Sequence, residues 1–468
     1  MPEKYHIKTS PVPPRLPRIG KYGVVDWRED CAGCHNCVKR ACIYDRHRQE
    51  MEYIRNLSDV NALFFDCMGC FSCVQDCTKN LLGMSINPVY ERLGNEYWTP
   101  DIIRTTWLQA ETGKIPVSGA GYGGPFSGAG FDSMWTDMSE IVRPTRDGIH
   151  GREYISTSVD IGRKVSYLDF SSDACCNNLP PLVTIPLPVI FDMNPTKFAL
   201  PDLTNIKAAV AARTGLISIV DSRKWPLPGI DFEQLLPHIA FYLDENTPLP
   251  SHDVLKKTRL VEIQDSPDAG DRVKKIKDIC PDIVAVVRIE LNKNGLDRAI
   301  ELACCDIEVI HIIADSNGNE TGTEHPRFIK DMLRTIHTSL VEDGIRDNIT
   351  IIAGGGIALP EHVAKSIICG ADLVSIDLPL MIALECFFCS RCEPGLACPA
   401  KLENIDFDYG TGRMTNLIAA WHGQLIEVMG AMGMREIRRL RGETGRAMFF
   451  EELEEETFGK FFGKRKQA

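Results

Sequence analysis

Eight cysteines lie between residues 31 and 77 in two matched runs, and they constrain the N-terminal part of this chain more than any other feature. The first run is Cys31-Ala-Gly-Cys34-His-Asn-Cys37 followed by Cys42, and the second is Cys67-Met-Gly-Cys70-Phe-Ser-Cys73 followed by Cys77. Two residues between successive cysteines let a loop present three thiolates to one iron–sulfur cube. The trailing cysteine is too far along the chain to close the same cube, so it serves the neighbouring one. On this logic one [4Fe-4S] cluster takes Cys31, Cys34, Cys37 and Cys77, and a second takes Cys67, Cys70, Cys73 and Cys42. The pattern departs from the common bacterial one in two ways. No Pro follows Cys42 or Cys77, and 24 residues separate Cys42 from Cys67. Zinc is the plainer alternative for C-x2-C pairs, but eight cysteines in two matched triplets favour clusters. Residues 1–90 are therefore expected to form an extended N-terminus and an α+β two-cluster ferredoxin-like domain, with a connecting segment over 91–184.

The chain carries eighteen cysteines in all, and the N-terminus has Pro and charge where a signal peptide needs an apolar core. The cysteines therefore read as metal ligands or free thiols, and the expected location is cytoplasmic. A net charge of −12 argues against nucleic-acid or anionic-membrane partners. No stretch of about 18 apolar residues is present to insert into a bilayer.

From about residue 185 the pattern changes to short apolar runs alternating with helical stretches. The runs are LPVIFD, GLISIVD, HIAFYLD, RLVEIQD, DIVAVVRIE, VIHIIAD, ITIIAGGG and ADLVSID, with amphipathic segments such as AGDRVKKIKDIC and GLDRAIELACC between several of them. β-Branched runs separated by helices mean a parallel sheet, and eight such units predict an α/β (β/α)8 TIM-like barrel over residues 185–380. An open doubly wound sheet is the runner-up, disfavoured because the GxGxxG turn is missing. The strands end in Asp192, Asp221, Asp244, Asp265, Glu290, Asp315 and Asp377. Some of these carboxylates simply cap the next helix, but several facing one mouth would make it acidic and repel a dianionic substrate. Gly354-Gly355-Gly356 after strand seven, with Gly370-Ala371 before strand eight, are candidates to hold a phosphate through bare backbone amides. Arg288, at the end of strand five, either places a cation beside a bound cofactor or pairs with a strand-end carboxylate. His311 and His325 lie near strand six, where a structural role is the plainer reading and proton handling the sharper one.

Residues 381–468 are expected to hold a third cysteine group and C-terminal helices. Cys386-Phe-Phe-Cys389-Ser-Arg-Cys392 repeats the C-x2-C-x2-C bite, and Cys398-Pro399 is placed like a ferredoxin's closing ligand.

With these features together, the sequence resembles the FMN-binding domain of glutamate synthase, in particular the archaeal type with a fused ferredoxin module. The resemblance is carried by LQAETGKIPVSGAG (108–121), GIRDNITIIAGGGIALPEHVAKSIICGAD (344–372), the Cys386–Cys398 region and EVMGAMGMREIRRLRGETG (427–445). It implies FMN contacts from Gly354, Gly355, Gly356, Gly370 and Ala371, with Thr321-Gly322 retained from the motif after strand six. Arg288 stands where the family usually has a Lys. It also implies a third cluster: [3Fe-4S] on Cys386, Cys392 and Cys398, or [4Fe-4S] if Cys389 joins them.

The chain departs from the family where 2-oxoglutarate and its imine are bound. The segments there read FDMNPTKFALP, SIVDSRKWP, VEIQDSPDAGD and ADSNGNETGTEH. No amidotransferase nucleophile and no NAD(P)H fingerprint is visible, so electrons are expected from a ferredoxin or flavoprotein partner within a hetero-oligomeric complex. The expected function is an iron–sulfur flavoprotein that passes electrons between clusters and FMN. A ferredoxin- or NADPH-linked glutamate synthase is the alternative.

Overall fold

The computed structural model describes residues 5–17, 19–27, 34, 36, 70–80, 82–115, 130–136, 154–165, 170–171, 174–175, 179–193, 201–224, 233–305, 307–392 and 395–463. Eight parallel strands close into a barrel: β1 (Val189–Phe191), β2 (Ser218–Asp221), β3 (Ile239–Leu243), β4 (Leu260–Gln264), β5 (Val284–Glu290), β6 (Val309–Ile313), β7 (Thr350–Gly354) and β8 (Leu373–Ile376). They pair in sequence order, and β8 returns to β1 through Val374–Val189 and Ile376–Phe191. All eight apolar runs in the sequence are barrel strands.

The strands are almost wholly buried because helices cover their outer face while side chains fill the interior. Val286, Ile310, Ile352 and Val374 are at most 2% exposed, and each such side chain contributes about 1.5–3 kcal/mol by leaving water. Helix α1 (Pro100–Thr112) precedes the barrel. The helices that follow are α2 (Pro201–Thr214), α3 (His252–Leu255), α4 (Ala269–Ile279), α5 (Gly295–Cys304), α6 (Ile329–Glu342), α7 (Pro360–Ile368), α8 (Leu378–Ala383) and α9 (Phe407–Ala431). α1 starts and stops where its sequence directs. The Thr99 side chain accepts from Ile102 N, Pro100 stands at the first helical position, and Gly113 closes the helix at φ 67°.

A hairpin of Val159–Gly162 and Leu182–Ile185 closes the bottom of the barrel. Thr350, at the start of β7, fastens it by donating to Gly162 O and accepting from Gly162 N. At the N-terminus, Tyr22–Trp27 pairs antiparallel with Leu82–Ile86, so two strands bracket both cysteine runs. This frame agrees with the expected α+β character of that segment. The N-terminal strap is tied to α9 and α1 by side chains of α9. Asn416 donates to Ser10 O and Ala110 O, and Arg413 donates to Val12 O, Trp107 O and Ala383 O. Among the described residues no helix is long and apolar enough to cross a membrane.

Candidate active site and cluster loop

The mouth of the barrel, where the strands end, is less acidic than its carboxylates suggest. Arg223 bridges Asp221 and Asp244, at 2.8 and 2.7 Å. Arg298 pairs with Asp265 at 2.8 Å. Asp315 accepts from Asn317 N and Asn319 N, and Asp377 caps Leu378 N. Only Glu290 stands exposed at its strand end without a hydrogen bond of this kind. The strand-end carboxylates thus do not stand as a free acidic ring: all but Glu290 are engaged by an arginine or by backbone amides.

Arg288 resolves into the ion-pair reading. Its guanidinium grips Asp192 through both terminal nitrogens, at 2.7 and 3.0 Å, and reaches Glu262 at 3.2 Å. Beyond Glu262 the bonds continue to His311, whose Nδ1 lies 2.8 Å from Glu262 Oε1 and whose Nε2 lies 2.8 Å from Ser375 Oγ. Ser375 Oγ then approaches Asp192 Oδ2 at 3.4 Å and closes a ring across β1, β4, β5, β6 and β8. His311, Glu262 and Ser375 are 0%, 1% and 2% exposed. Lys207, buried on α2, donates to the Asp192 carbonyl. Burial pulls Lys207 down to about 8. Burial and the nearby Asp192 charge push Asp377 up to about 6. Asp192 itself, against the upward pull of burial, is held at about 2 by Arg288 and His311.

The predicted phosphate loop divides between the two ends of the barrel. Gly354, Gly355 and Gly356 are at the mouth. A side chain at Gly355 would come within 2.6 Å of Ala314 O and Asp315 O, and one at Gly356 within 2.6 Å of the Gly318 backbone. The bare glycines therefore let the loops after β6 and β7 touch. Tyr97 donates to Gly356 O at 2.5 Å, and Trp98 Nε1 donates to Ser316 O at 2.8 Å, so the segment before α1 covers both loops. Among the described residues no acceptor takes the N–H groups of Gly355 or Gly356. Ser222 Oγ, Thr323 Oγ1 and Arg272 Nη1, all in segments that follow strand ends, are likewise buried and unpartnered. This donor set fits a polar ligand with a phosphate at the mouth. Thr321 sits there too, its N–H bonded to Leu291 O beyond β5, beside Gly322. Gly370 and Ala371 do not belong to this group. They precede β8, so parallel pairing puts them at the bottom, where Arg346 donates to Gly370 O and His337 packs on the glycine.

Among the N-terminal cysteines the structure describes Cys34 and Cys70, both exposed, Cys77, half-buried, and Cys73, buried; Cys31, Cys37, Cys42 and Cys67 lie outside the described residues. A hydrogen bond with Ser72 holds the Cys70 thiol below its ordinary value. In the third group Cys386 is buried, and Cys389, Cys392 and Cys398 are half-buried. Burial, followed by the charges of Cys392, Cys398 and Cys389, pushes the Cys386 thiol up to about 12, so the four sulfurs lie within electrostatic reach. The left-handed backbone outside glycine gathers around these runs. Among the described residues it occurs at Phe71, Asn80, Glu385, Phe388, Ser390 and Lys401, each within three residues of a candidate cysteine. Among the described residues no three His, Cys, Asp or Glu side chains converge on a single ion.

Sequence reasoning singled out Arg288 and His311 but passed over Glu262, Ser375 and Lys207. The signal for Glu262 was present: VEIQ and VRIE each bury a charge inside an apolar strand, with opposite signs on neighbouring strands. Ser375 and Lys207 had no comparable signal.

Residues 247–435 match the family model described as the conserved region in glutamate synthase. The chain is 25% identical to the archaeal-type glutamate synthase [NADPH] of Dehalococcoides mccartyi, over 90% of this chain and 93% of that protein. It is 24% identical to the archaeal glutamate synthase [NADPH] of Archaeoglobus fulgidus, over 93% and 96%. Among solved structures, the flavin-binding domain of baker's yeast flavocytochrome b2 aligns with a TM-score of 0.40 and 11% identity, covering 81% of this chain and 88% of that one. The matched region takes in most of the barrel and the segment after it, and the similarity to the archaeal-type glutamate synthases runs through nearly the whole length of the chain.

Proposed function

We propose that this chain is an iron–sulfur flavoprotein oxidoreductase that carries electrons through cysteine-held clusters to and from FMN at the barrel mouth, as one subunit of a larger redox complex. The observation that carries the reading is the left-handed backbone around the cysteines. Such conformations cost of order 1–3 kcal/mol at a residue with a side chain and persist where function requires them. Left-handed turns also aim successive backbone N–H groups into anion-holding hollows, as sulfur-rich clusters need. Here Phe388 N–H points at Cys386 Sγ, 3.4 Å away.

FMN, when bound, exchanges one-electron for two-electron traffic. Gly354, Gly355 and Gly356 would hold its phosphate, with Thr321 and Gly322 across the mouth. Arg288 is already committed to Asp192 and Glu262 and is not free to meet a new anion. A ferredoxin or flavoprotein partner would supply or take the electrons.

The second reading, reductive amination of 2-oxoglutarate, is favoured by what the relatives are named. The locked Arg288 ranks it second, because a dicarboxylate needs uncommitted cations. The deciding experiment is anaerobic stopped-flow of the reduced protein mixed with 2-oxoglutarate and ammonia. A flavin that stays reduced, with no glutamate formed, is the expected result. Rapid reoxidation with glutamate formed would establish the second reading.

A further inference from the structure

We propose that Cys389 is the fourth thiolate of the third centre, so that the loop from Cys386 to Cys398 holds a [4Fe-4S] cluster rather than the three-iron cluster the family resemblance implies. The inference rests on the iron–sulfur reading above and decides the composition of that site.

Three observations support it. First, the backbone is left-handed on both sides of Cys389, at Phe388 (φ 48°) and Ser390 (φ 53°), as well as at Glu385 (φ 71°) before Cys386. The loop therefore turns sharply on both sides of this cysteine. A half-exposed cysteine without a ligand role would gain nothing from two strained neighbours.

Second, none of the four cysteines is in a disulfide, and Phe388, directly before Cys389, donates its N–H to Cys386 Sγ at 3.4 Å, so the turn at Cys389 folds back on the first cysteine of the loop. A four-iron cluster takes one thiolate per iron corner, and the loop offers four.

Third, the loop is braced from behind. Glu385, 3% exposed, accepts from Arg15 N at 3.0 Å and Leu16 N at 3.3 Å, and the Arg15 side chain donates to Ala400 O at 2.8 Å. Phe387 packs on Trp107 and Phe388 on Trp98, with ring centroids 5.6 and 5.7 Å apart. The N-terminal strap and the segment around α1 thus fix both ends of the loop.

Once the three-iron core has been reduced by one electron, from dithionite in the test below, insertion of the fourth iron involves no further redox change. A three-iron cluster is a cube with one corner iron missing. A reduced three-iron core of zero net charge plus one ferrous ion gives a [4Fe-4S] core of charge +2. The Cys389 thiol binds the new iron and releases its proton to water. A thiolate beside an open corner therefore favours the four-iron form whenever iron and reductant are present.

The test compares anaerobically purified wild type with Cys389→Ser, and with Cys304→Ser as a control at an exposed cysteine outside the loop. Iron and EPR are read in the oxidised state, where four-iron clusters are silent and a three-iron cluster is paramagnetic. The expected results are a silent wild type with about twelve irons per chain, and a Cys389→Ser protein with a three-iron signal and about eleven. Ferrous iron with dithionite, followed by removal of both and mild anaerobic reoxidation, should leave air-treated wild type silent, whereas Cys389→Ser should regain its three-iron signal. A three-iron signal in iron-replete anaerobic wild type would overturn the inference, as would an unchanged, silent Cys389→Ser. Iron near eight in the wild type, unaffected by Cys386→Ser, would instead overturn the third centre itself.

Discussion

Each end of the barrel buries an arginine against an aspartate, and the two pairs are built differently. At the bottom, Arg346 donates to Asp372 at 2.8 Å and also to the carbonyls of Ile349 and Gly370. Asp372 in turn accepts from Ile351 N and from Arg441, which comes from the C-terminal segment. Three of these bonds reach backbone atoms, at Ile349, Gly370 and Ile351, so the pair fixes main chain as well as side chains. At the mouth, each bond of the ring from Asp192 through Arg288, Glu262, His311 and Ser375 runs from side chain to side chain. A buried pair anchored in backbone cannot rearrange without unfolding what it joins. A ring of side chains can exchange partners within a standing barrel. The bottom pair reads as structural, and the ring as the part of the interior able to respond to a ligand.

The largest effect expected from this contrast is at the bottom. Asp372→Ala leaves Arg346 and Arg441 facing each other without their shared carboxylate, and should cost about 3–5 kcal/mol in urea denaturation. Arg288→Met should cost less, about 2–3 kcal/mol at pH 7, because Asp192 and Glu262 can take up a proton once the cation has gone. Its cost should also shrink as the pH falls. Equal costs at the two ends, with no pH dependence for Arg288→Met, would erase the distinction.

Most of the barrel was legible from the sequence, because the strand signal is local. Runs such as IVAVV and IHIIA carry β-branched side chains in consecutive positions, and the helices between them bury one stripe each. The contents of the interior were not legible. Whether Arg288 meets a cofactor or a carboxylate depends on Glu262, 26 residues earlier, and Asp192, 96 residues earlier, which only barrel closure brings together. Gly370 misled for a related reason. It resembles a ligand glycine in sequence, but its φ of 119° and the His337 ring against it serve the packing of α6 at the opposite end. The cysteine spacing, in contrast, already contains its geometry, because the ligands of such a loop are close in the chain.

A pH series separates the two ends further. Asp377 is pushed up to about 6 by burial and then by the Asp192 charge. Asp372 goes the other way: against burial, Arg346, Arg441 and Lys164 hold it below its ordinary value. A carboxyl raised in the folded state keeps its proton better there than in the unfolded chain. The stability Asp377 contributes is therefore full below about pH 4 and lost as the pH rises through 6. The Asp372 contribution has the opposite sign, present above about pH 4 and lost in acid. Asp377→Asn keeps a competent helix cap at Leu378. Relative to wild type it should gain up to about 3 kcal/mol between pH 4 and 7.5. A flat difference across that range would mean that Asp377 is not charged against Asp192 in the folded protein.

The smallest effect tests whether the mouth is held from outside. Tyr97→Phe keeps the ring against Phe328, Trp98 and His362, whose centroids lie 5.9, 6.1 and 6.4 Å away, and removes only the hydroxyl that donates to Gly356 O. Gly356 is buried, so its carbonyl would lose a partner that water cannot easily replace. About 1 kcal/mol of stability should go with it. The loss should concentrate at the mouth: amide hydrogen exchange should quicken across residues 354–358 and stay unchanged at Ile351 and Asp372, which the bottom network holds. FMN retention on dilution should weaken in parallel, since the same loop carries the Gly355 and Gly356 amides. Faster exchange at both ends would mean that the barrel loosens as a whole. The division between a fixed bottom and a responsive mouth would then have to be abandoned, whatever the larger substitutions had shown.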